Sequence, residues 1–225
     1  MALTREEIVR TAIALLDEVG LDGLTLRRLA AELGVSAPTL YWHVRHKREL
    51  LDLMVEQLVD LDRRAGRPRE GQLWWEWLIE QAWVQWDGLV AHRDGALVAA
   101  GNRPTARSLP LVEETLGTLV GVGFPPREAL DALLGVGHYV LGCAVEHQAE
   151  EARARAATGP DVDPEVVREV LDGGRYPHLA AAARSRPPGG GTATFEYGLD
   201  LLVAGLRARQ AQLVDDPHAV RTGRG

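Results

Sequence analysis

Between residues 37 and 48 the chain concentrates side chains that can do chemistry on the surface of a short helix. Ala37-Pro-Thr-Leu-Tyr-Trp-His43 is followed at once by Arg45, Lys47 and Arg48. Hydroxyl and imidazole groups can contact phosphates and base edges, and proline and aromatic rings can touch a thymine methyl. Leu40 is the one clearly inward residue, while Thr39, Tyr41, Trp42 and His43 are large and polar-tipped for so short a surface. The bland alternative has Tyr41 and Trp42 half-buried as packing residues, and the three cations forming a solvated turn. Charge favours a nucleic-acid surface once it is divided. The chain carries a formal −7, yet residues 1–50 hold seven Lys/Arg against seven Asp/Glu, so the whole excess lies behind them. Residues 23–48 set five cations against Glu32 alone, and a local cationic face is what phosphate contact requires.

A second group of polar residues sits in apolar surroundings. Gln81 and Gln85 lie one turn apart in a stretch holding Trp74, Trp75, Trp77, Trp83 and Trp86. Buried amides need partners, so either other side chains or a ligand must satisfy them. Asn102, Arg103 and Pro104 close a short apolar segment, and His138 and Glu146 share one later helix. His138 reads as a hydrogen-bonded core histidine well ahead of a metal ligand.

Enzyme chemistry finds little support. His138, Glu146 and His147 lack the spacing of three or four residues that would put all of them on one helical face as metal ligands. There is no G-x-S-x-G, and Ser36, Ser108 and Ser185 lack a nucleophile-elbow context. Cys143 is the only cysteine, which excludes an intrachain disulfide and a cysteine-rich zinc site. No cofactor motif is present. MALTREEIVRT at the start shows no apolar stretch before a cleavage site, and no run approaches 18 apolar residues. The expectation is a cytoplasmic protein with no membrane partner.

The elements that must position these residues are helices, and the chain predicts an all-α fold. Thr4 to Glu7 is a capping box, after which Ile8, Ala12, Leu15, Leu16 and Val19 recur at helical spacing until Gly20. A second short helix starts at Thr25. Ser36 caps a third, with Pro38 tolerated in its first turn. Three short helices with Gly34-Val-Ser36 before the last make a helix-turn-helix. The expected division is a DNA-binding domain at 1–46, a connecting helix at 47–63, a ligand-binding and dimerisation domain at 64–215 and a tail at 216–225. Within the third part, helices are expected from Leu73 to about Val90, 106–121, 126–157, 164–171 and 195–213. Loops are expected at 158–164 and 187–191.

Thr39-Leu-Tyr-Trp-His-Val44 with Lys47-Arg48 resembles the recognition helix of the tetracycline-repressor (TetR) family. His92-Arg-Asp-Gly-Ala96, Gly101-Asn-Arg-Pro-Thr105, Val136-Gly-His-Tyr139 with Glu146, and Phe195-Glu-Tyr-Gly198 resemble the sensor domain of its tetracycline-binding branch. The resemblance implies DNA contacts from Thr25, Arg27, Ala37, Pro38, Thr39, Tyr41, Trp42, His43 and Lys47. It implies an effector site drawn from Gln81, Gln85, Asn102, Arg103, Pro104, His138 and Glu146. It also implies a homodimer built on helices 126–157 and 195–213 and bound to a palindromic double-stranded operator. Two positions depart from the family. Ala37 replaces an amide that helps read bases, so the operator should differ there. Ala99 stands where the branch uses a histidine to bind the magnesium ion of a tetracycline chelate, and Asp62 and Arg63 stand where residues facing the drug's polar ring are expected. The implied protein is a non-enzymatic repressor released by a small molecule other than magnesium-tetracycline. The alternatives are a DNA-binding dimer whose helical domain only oligomerises, and a repressor induced by magnesium-tetracycline.

Overall fold

The computed structural model describes residues 3–59, 67–156, 166, 169, 173–185 and 192–215. Among these there is no strand, and ten helices build the molecule. The head consists of α1 (Arg5–Gly23), α2 (Leu26–Glu32) and α3 (Ala37–Tyr41), followed by α4 (Lys47–Leu58). Behind it lie α5 (Trp74–Val90), the single-turn α6 (Gly95–Ala99), α7 (Leu109–Gly121), α8 (Pro126–Arg155), α9 (Pro177–Ser185) and α10 (Ala193–Asp215).

Each head helix starts where a side chain satisfies an orphan amide. Thr4 Oγ1 accepts from Glu7 N–H, Thr25 Oγ1 from Arg28 N–H, and Ser36 Oγ from Thr39 N–H. Gly34 turns the chain between α2 and α3 at a φ of +66°, a conformation glycine adopts without penalty. Ile8, Leu16, Leu29, Leu40 and Val44 are sealed in a small core. Leu50 and Met54 of α4 are sealed beside them, so α4 is anchored in the head as well as leading out of it.

The helices behind the head are held by aromatic packing. Phe195 of α10 stacks on Trp86 of α5 at 4.4 Å between centroids and meets Trp83 edge-on at 4.8 Å. Tyr139 of α8 stacks on its other side and donates its hydroxyl to the Thr194 and Phe195 carbonyls. Burial first, and then the neighbouring Cys143 thiol, push that phenol up to about 12, so it stays a donor across the ordinary pH range. Arg209 of α10 reaches Glu128 of α8 through two hydrogen bonds of 2.9 Å. That guanidinium holds the Glu128 carboxyl below the usual carboxylate range.

Several boundaries differ from the sequence expectation. α7 starts at Leu109 rather than 106. The Thr105 hydroxyl accepts from Arg107 N–H and its carbonyl accepts from the Ser108 hydroxyl, and such local bonds favour a turn over a helix. α10 begins two residues early, at Ala193. α4 is described as a helix to Leu58, with Val59 as its C-cap. The rest of the expected 47–63 helix lies outside the described residues, as do the 158–164 and 187–191 loops, most of 164–171 and the 216–225 tail. By length and composition alone α8 could cross a membrane; here Ala129, Val136, Val140 and Ala144 bury one stripe of it in the core.

Candidate functional site

The reading head leaves its chemistry outside. Leu40 is 1% exposed, whereas Tyr41 is 50% and Trp42 89% exposed. Thr25, Arg27, Ala37, Pro38 and Thr39 are exposed, and His43 is half-buried. An indole left almost wholly in water by a five-residue helix has no packing role, so the packing alternative for Trp42 fails. The Thr25 and Thr39 hydroxyls also serve the fold: Thr25 caps α2, and Thr39 shares a 2.8 Å hydrogen bond with Ser36. The cations that follow divide. Lys47 Nζ donates to the Leu21 carbonyl at 2.7 Å, tying the start of α4 to the end of α1. Arg48 turns toward the sensor, donating to Asp52 and to the Ala100 carbonyl. Arg45 stays exposed.

Behind the head lies a cavity of about 350 Å³ between α4, α5, the 99–105 segment, α7 and α8. Gln81, Gln85, Asn102, Arg103, Pro104 and His138 all line it. Glu146 does not: it is exposed, two turns farther along α8. Gln81 and Gln85 are half-buried, and His138 is exposed rather than a core histidine. Asn102 Oδ1 is shielded from solvent and has no hydrogen-bond partner among the described residues. Ala99 presents only a methyl group to the same space. Among the described residues no group of three His, Cys, Asp or Glu side chains could hold a metal ion. At position 99 the lining therefore offers no metal ligand.

Sequence reasoning missed Glu56. It is a carboxyl 8% exposed on the inward face of α4, lining the cavity and accepting a hydrogen bond from the Thr105 hydroxyl. A glutamate between Val55 and Gln57 reads as solvated surface. Only the crossing of the 99–105 segment over α4 buries it. Gln148 of α8 was missed too. Its amide donates to the Leu89 and His92 carbonyls and accepts from Ala96 N–H, pinning the corner between α5 and α6. That corner grips the head: His92 Nδ1 lies 2.8 Å from Asp17 Oδ2, Arg93 N–H donates to Asp17 Oδ1, and Leu21 N–H donates to Asp94 Oδ2.

An exposed helix-turn-helix reading face thus shares one helix, α4, with a cavity some turns away. Residues 8–54 match the family model "Bacterial regulatory proteins, tetR family", and 67–210 match "Tetracyclin repressor-like, C-terminal domain". The chain belongs to the TetR family. It is similar to the tetracycline repressor protein class C of Escherichia coli, 37% identical over 91% of this chain and 90% of that one. It superposes on a TetR variant of Acinetobacter baumannii solved in complex with minocycline, at a TM-score of 0.71 and 34% identity, covering 92% and 98% of the two chains. It superposes also on apo ActR of Streptomyces coelicolor, at a TM-score of 0.75 and 29% identity, covering 94% and 98%. As a TetR-family regulator it is a DNA-binding transcription factor and not an enzyme.

Proposed function

We propose that this TetR-family protein is a repressor that binds a palindromic operator as a homodimer in the cytoplasm and is released by a small molecule in the 350 Å³ cavity. The observation that carries the reading is the shared helix. α4 is anchored in the head by Leu50 and Met54 and walls the cavity with Val55, Glu56 and Val59. A ligand with different affinity for two positions of α4 would shift the reading head by that difference. Support for the dimer comes from α8 and α10, which leave Leu130, Leu134, Tyr197, Leu201 and Leu202 exposed in addition to the stripes they bury. Reading two half-sites about one turn of DNA apart requires such a pair. The DNA-facing set is Thr25, Arg27, Ala37, Pro38, Thr39, Tyr41, Trp42, His43 and Lys47. The ligand-facing set is Gln81, Gln85, Asn102, Arg103, Pro104 and His138. The division is head 1–46, connector 47–63, sensor 64–215.

Fluorescence anisotropy with palindromic DNA from the gene's own upstream region tests the head. Lys47→Ala removes the tie to Leu21 as well as a phosphate contact, and is expected to weaken binding on all sequences alike; the salt slope, lowered by about 0.9, is the share of the one phosphate contact. Tyr41→Ala is expected to weaken binding without lowering the thermal midpoint, since half of that side chain is in water. Normal operator binding by both variants at moderate salt would show that the reading face lies elsewhere.

Ala99 sets the expected effector chemistry. A cavity wall that offers a methyl where a metal ligand is needed is a poor cage for magnesium, which binds through oxygen ligands and keeps several waters. Thermal-shift screening of aromatic natural products and antibiotics should find an effector whose release of operator is indifferent to EDTA. Tetracycline with magnesium should bind weakly or not at all. Tight, EDTA-sensitive tetracycline binding would overturn this expectation.

A further inference from the structure

The effector cavity is apolar over most of its wall, with Leu78, Leu111, Leu133 and Leu141 among its residues. Its donors, Arg103, Gln81, Gln85 and His138, are exposed or half-buried, whereas two of its acceptors are shielded. Glu56 is 8% exposed, and among the described residues its carboxyl has one side-chain hydrogen bond, from Thr105. A carboxylate offers about four acceptor positions, and buried acceptors left without donors carry a desolvation cost. Asn102 Oδ1, on the 99–105 segment across from α4, is a second shielded acceptor and has no partner among the described residues. Beyond the Glu56–Thr105 pair, on the side away from the cavity, lies a cleft lined by Arg5, Arg10 and Arg107. Those cations moderate the long-range field at Glu56, so discrimination inside the cavity must come from direct hydrogen bonding.

We propose that Glu56 is the specificity-determining acceptor of this cavity and that the effector is an apolar, ring-sized molecule bearing a protonated amine. The inference rests on the reading of the cavity as the effector site. An ammonium or iminium group supplies the N–H donors that Glu56 and Asn102 lack, and its charge offsets the carboxylate. A carboxylate or sulfonate on the same ring frame would set acceptor against acceptor at Glu56 and Asn102, with the exposed Arg103 as the cation left to receive it, and at the shielded end that costs rather than gains. Neutral rings of the same shape would bind through the apolar wall alone. Glu56 sits on α4, so the group that selects the ligand also belongs to the helix that carries the reading head.

The test uses one ring frame in three charge states, titrated into the full-length protein and followed by probe fluorescence. The probes are 9-aminoacridine, which is cationic, acridine, which is neutral, and acridine-9-carboxylate. In the wild type, 9-aminoacridine is expected to bind tighter than the carboxylate by about tenfold or more, the range of a charge-assisted hydrogen bond. Glu56→Gln keeps the side-chain shape. It should bring the two within about threefold of one another while leaving acridine unchanged. Leu133→Trp, which fills the cavity, should weaken all three. Thr105→Val frees Glu56 from its internal donor and should strengthen 9-aminoacridine only. Equal affinities in the wild type, or a preference that survives Glu56→Gln, would overturn the role of Glu56 while leaving the cavity reading intact. No binding of any probe, or binding that Leu133→Trp does not weaken, would overturn the cavity as the effector site, and the role of Glu56 with it.

Discussion

Gly88→Ala is expected to cost both stability and operator affinity, more than any other alanine substitution at a helical glycine among the described residues. A Cβ at Gly88 would stand 1.8 Å from the Leu58 carbonyl oxygen, 2.9 Å from its carbon and 3.2 Å from Val59 Cα. All three are backbone atoms at the end of α4, so no rotamer change can relieve the clash. α5 and α4 must separate, and overpacking of this kind costs about 1–3 kcal/mol or more. The separation acts at one end of a helix whose other end, through Leu50 and the Lys47–Leu21 bond, holds the reading head. We expect the urea midpoint to fall and operator affinity to drop by about tenfold, equivalent to roughly 1.4 kcal/mol. Gly117→Ala in α7 is the control. A Cβ there meets nothing within 4 Å, and alanine is a better helix former by about 1 kcal/mol, so stability should hold or rise. If Gly88→Ala behaves like Gly117→Ala in both assays, the crossing of α5 over α4 is not the tight coupling that the geometry describes.

The head was legible in the sequence because its signals are local. Thr25, Gly34 and Ser36 act within three residues of themselves, and Leu40 reads as inward from the sequence alone. Gln81 and Gln85 were legible as a mismatch of amides among tryptophans. Asn102 to Pro104 became legible through resemblance to a family motif. What escaped was whatever depends on segments meeting from far apart. Glu56 is buried by Thr105, 49 positions on, and Asp17 is gripped by His92, 75 positions on. No periodicity carries either. The 95–104 segment shows the same limit. Glycines stand at both ends, Gly95 and Gly101, but only Gly101 takes a left-handed angle. The left-handed residue at the first end is instead Asp94, at a φ of +57°, held there by its bond to Leu21 N–H. Gly95 is required for another reason: a Cβ would lie 2.4 Å from the Leu89 carbonyl. Glu146 shows the converse. The family pattern supplied the residue, but α8 carries it two turns past His138 and out of the cavity lining.

Gly101→Ala is expected to separate effector binding from operator release. Gly101 has a φ of +70°, and a Cβ there would have room, its nearest neighbour being Arg48 at 3.9 Å. The penalty is therefore conformational, about 1–2 kcal/mol for an L-residue in the left-handed region, and it falls on a segment with two ties to α4. Before Gly101, the Ala100 carbonyl accepts from Arg48; after it, the Thr105 hydroxyl donates to Glu56. Between the ties, Asn102, Arg103 and Pro104 face the cavity. A ligand pressing on those three residues reaches α4 through both ties, and the positive φ at Gly101 sets where the segment turns. Alanine favours whichever arrangement relieves that φ, shifting the balance between the two positions of α4 before any ligand binds. By population-shift arithmetic, 1–2 kcal/mol is about a five- to thirtyfold change in that balance. The expected result is an effector concentration for half-release changed by about tenfold, while effector affinity without DNA changes by less than about threefold. Two titrations on the same variant decide it: tryptophan fluorescence for the effector found by thermal-shift screening, and operator anisotropy for release. The helix that lines the cavity with Leu78, Gln81, Ala82 and Gln85 also carries the tryptophans that report binding. Loss of both in strict proportion would mean that the segment is only a wall of the pocket, and the hinge would have to be sought in the corner where Asp94 and His92 grip the head.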